Sequence, residues 1–256
     1  KCRRNIAPAS CISSVMVLTL SRRMLIWISA GILLLYWAIL WKFPLMGGNP
    51  YGLHTNAVRV LDLMLFGDSH LYHGDGIGFD PEGLLSTLPA IVTVILGWLS
   101  GELLAYRSQQ KDLLVRDLLV FGLICGFVGL AWDLFFPINK KLWTSSYVLY
   151  AGGISMIGLA ASVWFLDVRG WRNGAGFFLA FGANALFAYV FSEALIMSLS
   201  AIRWTSGTET ISAAGWIYNT FFKPIEGAEF SSFLFAFTYM LLCWLVCRWL
   251  YVRKIY

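Results

Sequence analysis

The chain has 256 residues, of which 59% are apolar and 13% are Asp, Glu, Lys or Arg, about half the roughly 25% charged fraction of a soluble domain. Its 19 basic and 14 acidic side chains are too few to cover a water-soluble fold of this length. A mean hydropathy of +0.70, glycines without a three-residue period and only five cysteines exclude disorder, collagen and a disulfide scaffold.

A helix that crosses a bilayer needs about 20 mostly apolar residues, because the hydrocarbon core is about 30 Å thick and each residue adds 1.5 Å. Residues 1–23 do not reach that length: the apolar stretch from Cys11 to Leu20 is short and Pro8 interrupts its approach. They read as an atypical or truncated N-terminal segment with one partial helix. Six full spans follow, near Met24 to Trp41, Leu84 to Tyr106, Leu114 to Phe136, Ser146 to Leu166, Ala175 to Leu199 and Phe230 to Tyr251. Each run is continuous and lacks the alternation of a barrel wall. The predicted fold is therefore all-α, a polytopic transmembrane helix bundle, with residues 24–256 as a single unit.

Counting the partial helix as a crossing divides the cations between two sides. One side receives Arg22, Arg23, Arg107, Lys111, Arg116, Arg169, Arg172, Arg248, Arg253 and Lys254; the other receives Lys42, Arg59, Lys140, Lys141, Arg203 and Lys223. The richer side is cytoplasmic, and it holds the C terminus. The long connections 42–83 and 200–229 then lie outside, where Asp62, Asp68, Asp75, Asp80, Glu82, Glu209, Glu226 and Glu229 make that face acidic. Loop 42–83 opens on a turn rich in Pro and Gly (Pro44, Gly47, Gly48, Pro50) and contains Ala57 to Phe66, an apolar stretch suited to the interface. The second loop carries Trp216, Tyr218, Phe221 and Phe222 near Lys223, a headgroup-level pattern. The cations form no single stripe, so nucleic acid is not a partner; the lipid bilayer is, and a homo-oligomer is left open.

Few residues remain to carry chemistry. Glu193 lies deep in a span, nine residues after Asn184, and reads either as a general acid or base or substrate ligand in a polar cleft, or as a hydrogen-bonded carboxyl that fixes packing. Asp80 is placed to cap the helix that Pro81 begins, with Glu82 at its positive end; both acids also suit an amine or hydroxyl-rich ligand. The turn Pro137 to Tyr147 holds Asn139, Lys140, Trp143 and Ser145, a polar density suited to lining a ligand site. Asp68, His70, His73 and Asp75 form a metal-like set in a Gly-rich loop, and no metal is assigned to them. Cys243 and Cys247 read as packing residues. Gly97 with Gly101, and Gly122 with Gly126, have the spacing of close helix contacts.

The phrase Phe79-Asp80-Pro81-Glu82-Gly83-Leu84-Leu85-Ser86-Thr87-Leu88-Pro89-Ala90, followed by Pro137-Ile138-Asn139-Lys140-Lys141-Leu142-Trp143-Thr144-Ser145-Ser146-Tyr147, resembles the heparan-alpha-glucosaminide N-acetyltransferase family, including its bacterial N-acetylglucosamine-related members. Gly182-Ala-Asn184-Ala-Leu-Phe-Ala-Tyr189 and the last helix are also similar, and the likeness runs from about Met24 to Tyr256. The resemblance implies a membrane acyltransferase that passes acetyl from acetyl-CoA, its co-substrate, to the amine of a glucosamine-type sugar, in a bacterial inner membrane. Beside the resemblance, the residues themselves put forward Glu193 as the catalytic candidate, and Asp80, Glu82, Asn139, Lys140, Trp143, Ser145 and Asn184 as substrate contacts. Arg107, Lys111, Arg116, Arg169 and Arg172 are placed to attract the phosphates of CoA, although the positive-inside rule explains them without a ligand. The family's acetyl-transfer His lies in helices that precede the matched region, so no His here inherits its role. The chain is thus expected to be an N-terminally truncated or altered member, the C-terminal two-thirds of such an enzyme and inactive alone. A permease or uptake partner for N-acetylglucosamine, with Glu193 in its path, is the alternative, although no internal repeat supports it; a non-catalytic remnant is a third.

Overall fold

The computed structural model describes residues 6–43, 48–73, 76–172, 174–206, 209–225 and 227–255. The expectations placed on Pro44, Gly47, Asp75 and Glu226 lie outside the described residues. The fold is all-α apart from one short hairpin. Its contacts divide the chain into two units, residues 1–170 and 171–256.

In the first unit, α1 (Ile6–Thr19) has 14 residues, about 21 Å at 1.5 Å per residue and too short to cross. It tolerates Pro8 because that residue falls in the first turn, where a helix has no use for its N–H. The Ser21 hydroxyl accepts the Met24 N–H and starts α2 (Arg22–Lys42). Asn56 caps α3 (Ala57–Phe66), its Oδ1 accepting the Arg59 N–H while its Nδ2 donates to the carbonyls of Gly52 and Leu53. At ten residues α3 cannot cross a bilayer. Val58 and Asp62, one turn apart, point inward, while Met64, Leu65 and Phe66 are exposed, as an interfacial helix requires.

The next helix, α4 (Thr87–Tyr106), starts three residues later than the sequence implies. The stretch 80–86 is turn rather than helix, and Asp80 Oδ1 accepts the Glu82 N–H at 2.9 Å. The carboxylate of Asp80 therefore caps a turn and not the helix. Two longer helices complete the unit: α5 (Lys111–Asp133) and α6 (Ser145–Val163), the latter widening into a π-helical turn at Trp164–Val168. Glycine lets their backbones touch. A Cβ on Gly153 would stand 2.5 Å from the Gly126 N, and one on Gly129 would stand 2.6 Å from the Tyr150 N. The pair Gly97 and Gly101 makes no such approach; nothing lies within 4 Å of a Cβ built at either.

Ion pairs gather at one end of this unit, joining Arg22 to Glu102, Arg107 to Asp117 at 3.3 Å and Lys111 to Asp167 at 3.4 Å. The opposite end is closed by Tyr36, Leu40, Val58, Phe79, Phe136 and Leu142, all buried. Between them, large apolar side chains face outward too, including Leu18, Trp27, Phe127 and Leu134 at 85%, 75%, 73% and 81% exposure. Such an exterior fits lipid and not water.

In the second unit the expected fifth span is broken. Helices α7 (Ala175–Ala183) and α8 (Ala185–Ala201) meet at Asn184 with an 80° bend. The strands β1 (Arg203–Ser206) and β2 (Glu209–Ser212) pair antiparallel, with Arg203 opposite Ser212. The hydroxyl of Ser212 caps α9 (Ala213–Ile217), and a π-helical turn at Tyr218–Phe222 leads toward α10 (Ala228–Val252). Phe177 of α7 stacks on Trp244 of α10 with ring centroids 5.0 Å apart, and the Trp244 indole N–H donates to the Phe177 carbonyl. The Tyr239 hydroxyl donates to the Ser192 carbonyl of α8. Cys243 and Cys247 are buried on α10 as free thiols, the packing role expected of them. With α7 and α8 counted as one bent span, the described residues hold six helical spans with the length and apolarity to cross a membrane.

Candidate functional site

The polar residues of the first unit meet at the end opposite its ion pairs. A cavity of about 110 Å³ is lined there by Ala9, Pro81, Glu82, Ser86, Thr87, Ala90, Thr93, Val94 and Trp143. The turn 80–86 supplies one wall and α4 supplies the floor. Trp143 supplies the other wall from the connection between α5 and α6. Its backbone adopts φ 51°, a left-handed conformation that costs a bulky residue on the order of 1–3 kcal/mol. Its indole N–H donates to Thr93 Oγ1 at 3.1 Å, and its ring meets Tyr147 edge-on at 5.6 Å. Backbone and ring are thus both fixed.

Of the residues expected from sequence, Glu82 and Trp143 share this cavity, and Asp80 holds the Glu82 backbone from beneath. Asn139 and Ser145 commit their polar atoms to the fold. The carboxamide oxygen of Asn139 accepts the N–H groups of Lys141 and Leu142, which shapes the turn. Ser145, fully buried, donates to the Leu33 carbonyl at 2.8 Å and ties α6 to α2. Lys140 is exposed on the same turn. Asn184 and Glu193 belong to the second unit: Asn184 sits buried at the bend with no hydrogen-bond partner for its Nδ2 among the described residues, and Glu193 is exposed on α8.

The sequence reading missed Asp62, which is 1% exposed. Its Oδ1 accepts the Leu84 N–H at 3.1 Å, across 22 residues of chain. A Cβ on Gly83 would stand 2.0 Å from its Oδ2, so glycine alone admits the carboxyl this close. Burial, reinforced by the charge of Asp80 and opposed by the Leu84 hydrogen bond, pushes the Asp62 carboxyl up to about 6. The signal available in sequence was an acid within a ten-residue stretch whose other charged residue is Arg59.

Nearby, Asp68 and His73 form a pair on the protein surface. His73 Nε2 lies 3.1 Å from Asp68 Oδ2 and its Nδ1 lies 2.9 Å from the Leu71 carbonyl. Two oxygen neighbours, the carboxylate above all, keep this imidazole protonated above the usual histidine range. No group of three or more metal-ligating side chains occurs among the described residues.

At the ion-paired end, Arg107 and Lys111 already face carboxylates, Arg116 donates to Asp117, and Arg169 lies over the Trp164 ring at 4.7 Å. These side chains are engaged within the unit. Glu102 of α4 pairs with Arg22 of α2 at the same end.

Spans of this length and apolarity, with lipid-facing exteriors around a few buried polar groups, define a polytopic integral membrane protein. Over 57% of its length the chain is 33% identical to the heparan-alpha-glucosaminide N-acetyltransferase of Homo sapiens, a stretch equal to 25% of that protein. Over 54% of its length it is 31% identical to the enzyme of the same name from Mus musculus, covering 23% of it. No family model matches the chain. The chain is thus similar to these enzymes over a little more than half of its length, and it spans only about a quarter of the length of these curated relatives.

Proposed function

We propose that this chain is the acceptor-binding part of a membrane N-acetyltransferase that moves acetyl from acetyl-CoA to the amine of a glucosamine-type sugar. The observation that carries this reading is the cavity in which Glu82 and Trp143 face a common space. A pyranose offers an apolar face to an indole, and an ammonium group beside it is attracted both to the ring and to a carboxylate. The hydroxyls of Ser86, Thr87 and Thr93 donate to main-chain carbonyls, so the cavity presents an almost wholly apolar surface, suited to the apolar face of a sugar ring.

In the net transfer an amide bond forms between the amine nitrogen and the acetyl carbon, the carbon–sulfur bond of the thioester breaks, and the proton that the amine sheds ends on the CoA thiol. The residues of this cavity bind and orient the amine, with Glu82 the carboxylate among those that line it. The cavity end is assigned to the outer side of the membrane and the ion-paired end to the cytoplasm, where acetyl-CoA is available.

Membranes holding the full-length gene product, given labelled acetyl-CoA and glucosamine, test the reading. Label is expected in the sugar, and Trp143→Ala is expected to raise the acceptor KM about 5- to 30-fold, the equivalent of about 1–2 kcal/mol of ring contact. Absence of label in the sugar, or an unchanged KM, rules the assignment out. The break at Asn184 favours one second reading, since transporters place discontinuous helices at their substrate sites. Uptake of N-acetylglucosamine into proteoliposomes without acetyl-CoA, lost in Glu193→Gln, would establish a permease instead.

A further inference from the structure

We propose that Asp62 is a positioning residue whose protonation state sets the shape of turn 80–86, so that acceptor binding in the Trp143 cavity responds to pH. This rests on the reading of that cavity as the sugar site.

The geometry locks the carboxyl and the turn together. Oδ1 takes the Leu84 N–H, and Oδ2 is buried against Gly83 with no hydrogen-bond partner among the described residues. The main-chain oxygen of Asp80 flanks the same glycine, 3.2 Å from the point where a Cβ would stand. Two residues on either side of Gly83, Pro81 and Ser86 line the cavity together with Glu82. A shift of the turn at Gly83 therefore moves the wall of the cavity.

Among the described residues, the groups facing Asp62 supply no cation paired with it. From α2 comes the Tyr36 hydroxyl, which donates to the Leu142 carbonyl. From the turn comes the Asp80 carboxylate, 8% exposed. On α3 itself stands Arg59, whose Nε donates to the Gly78 carbonyl at 2.9 Å and whose Nη1 donates to the His54 carbonyl at 3.3 Å. A negative charge on Asp62 thus stands beside another and presses against the turn. A proton on Oδ2 removes that repulsion and turns an oxygen without a donor into a donor. The protonated form holds the turn closed on the cavity, and the ionised form loosens it.

Two measurements on the full-length protein in lipid decide the matter. In pH-difference infrared spectra, a protonated-carboxyl band that titrates near pH 6 is expected in the wild type, to disappear in Asp62→Asn and to titrate at lower pH in Asp80→Asn. Acceptor KM is expected to rise about tenfold more between pH 5 and 7.5 in the wild type than in Asp62→Asn; ionisation of the sugar amine is common to both proteins and cancels in the comparison. A band that persists in Asp62→Asn, or matching KM profiles in the two proteins, overturns the proposal. Should Asp62→Asn not fold, an unshifted titration in Asp80→Asn overturns it. A wild type that acetylates no glucosamine at any pH, yet shows the Asp62 band, refutes the sugar reading of the cavity and not the titration of Asp62.

Discussion

Asp62 shows how a single side chain can be decisive and still escape notice in the sequence. Its folded-state pKa of about 6 lies above the ordinary value of 3.8, so the folded state favours the neutral acid. The stability this group contributes is fully present below about pH 4 and is lost as pH rises through 6, a change on the order of 3 kcal/mol. Asp62→Asn, which keeps an oxygen for the Leu84 N–H, is expected to be more stable than wild type at pH 8 by up to about 2–3 kcal/mol and no more stable at pH 4. Thermal unfolding in detergent at the two pH values checks the sign. Glu82 and Trp143 were legible because polar and aromatic residues crowd short turns between apolar blocks. Asp62 was not, because hydropathy does not say which face of α3 turns inward, and its partner lies 22 residues away.

Among the helices, the spans themselves were legible, since lipid as solvent demands long apolar runs. Which glycines bring helices together was not. Gly97 and Gly101 have the same spacing as Gly122 and Gly126, yet only the second pair lies at a crossing, where Gly153 of α6 approaches it. Spacing marks a smooth helix face; it does not supply the neighbour. Gly153→Val is expected to destabilise the first unit by about 2 kcal/mol or more, because its Cβ meets backbone that cannot rotate away. Gly97→Ala, into open space, is expected to be neutral within about 0.5 kcal/mol or slightly stabilising. Melting temperatures of the two variants separate these outcomes. The break between α7 and α8 also escaped the hydropathy reading, since apolar residues continue on both sides of Asn184. Glycine and asparagine close together at Gly182 and Asn184 were the local sign of it.

For the molecule as a whole, sidedness follows from where cations fall. Lys140→Cys, on the exposed turn beside the cavity, is expected to react with a membrane-impermeant maleimide in intact cells; Lys254→Cys, near the C terminus, is expected to react only after permeabilisation. The reverse pattern would place the cavity in the cytoplasm. The likeness to the N-acetyltransferases was read from two motifs, 79–90 and 137–147, because each combines turn-forming and polar residues that a generic span does not need. The extent of the match was not, since apolar helices resemble one another on composition alone.

The bend at Asn184 sets a length as well as a direction. With 17 residues, α8 rises about 25 Å, several ångströms less than a typical hydrocarbon core. Turned by 80° from it, α7 adds little to that height when α8 stands upright. At α8 the second unit therefore fits a thin bilayer better than a thick one, while α10, with 25 residues, is long enough for either; lipids with long acyl chains must compress around α8 or make it tilt less than its neighbours. Acyl-chain length becomes a control on this half of the protein, independent of any group that titrates or binds.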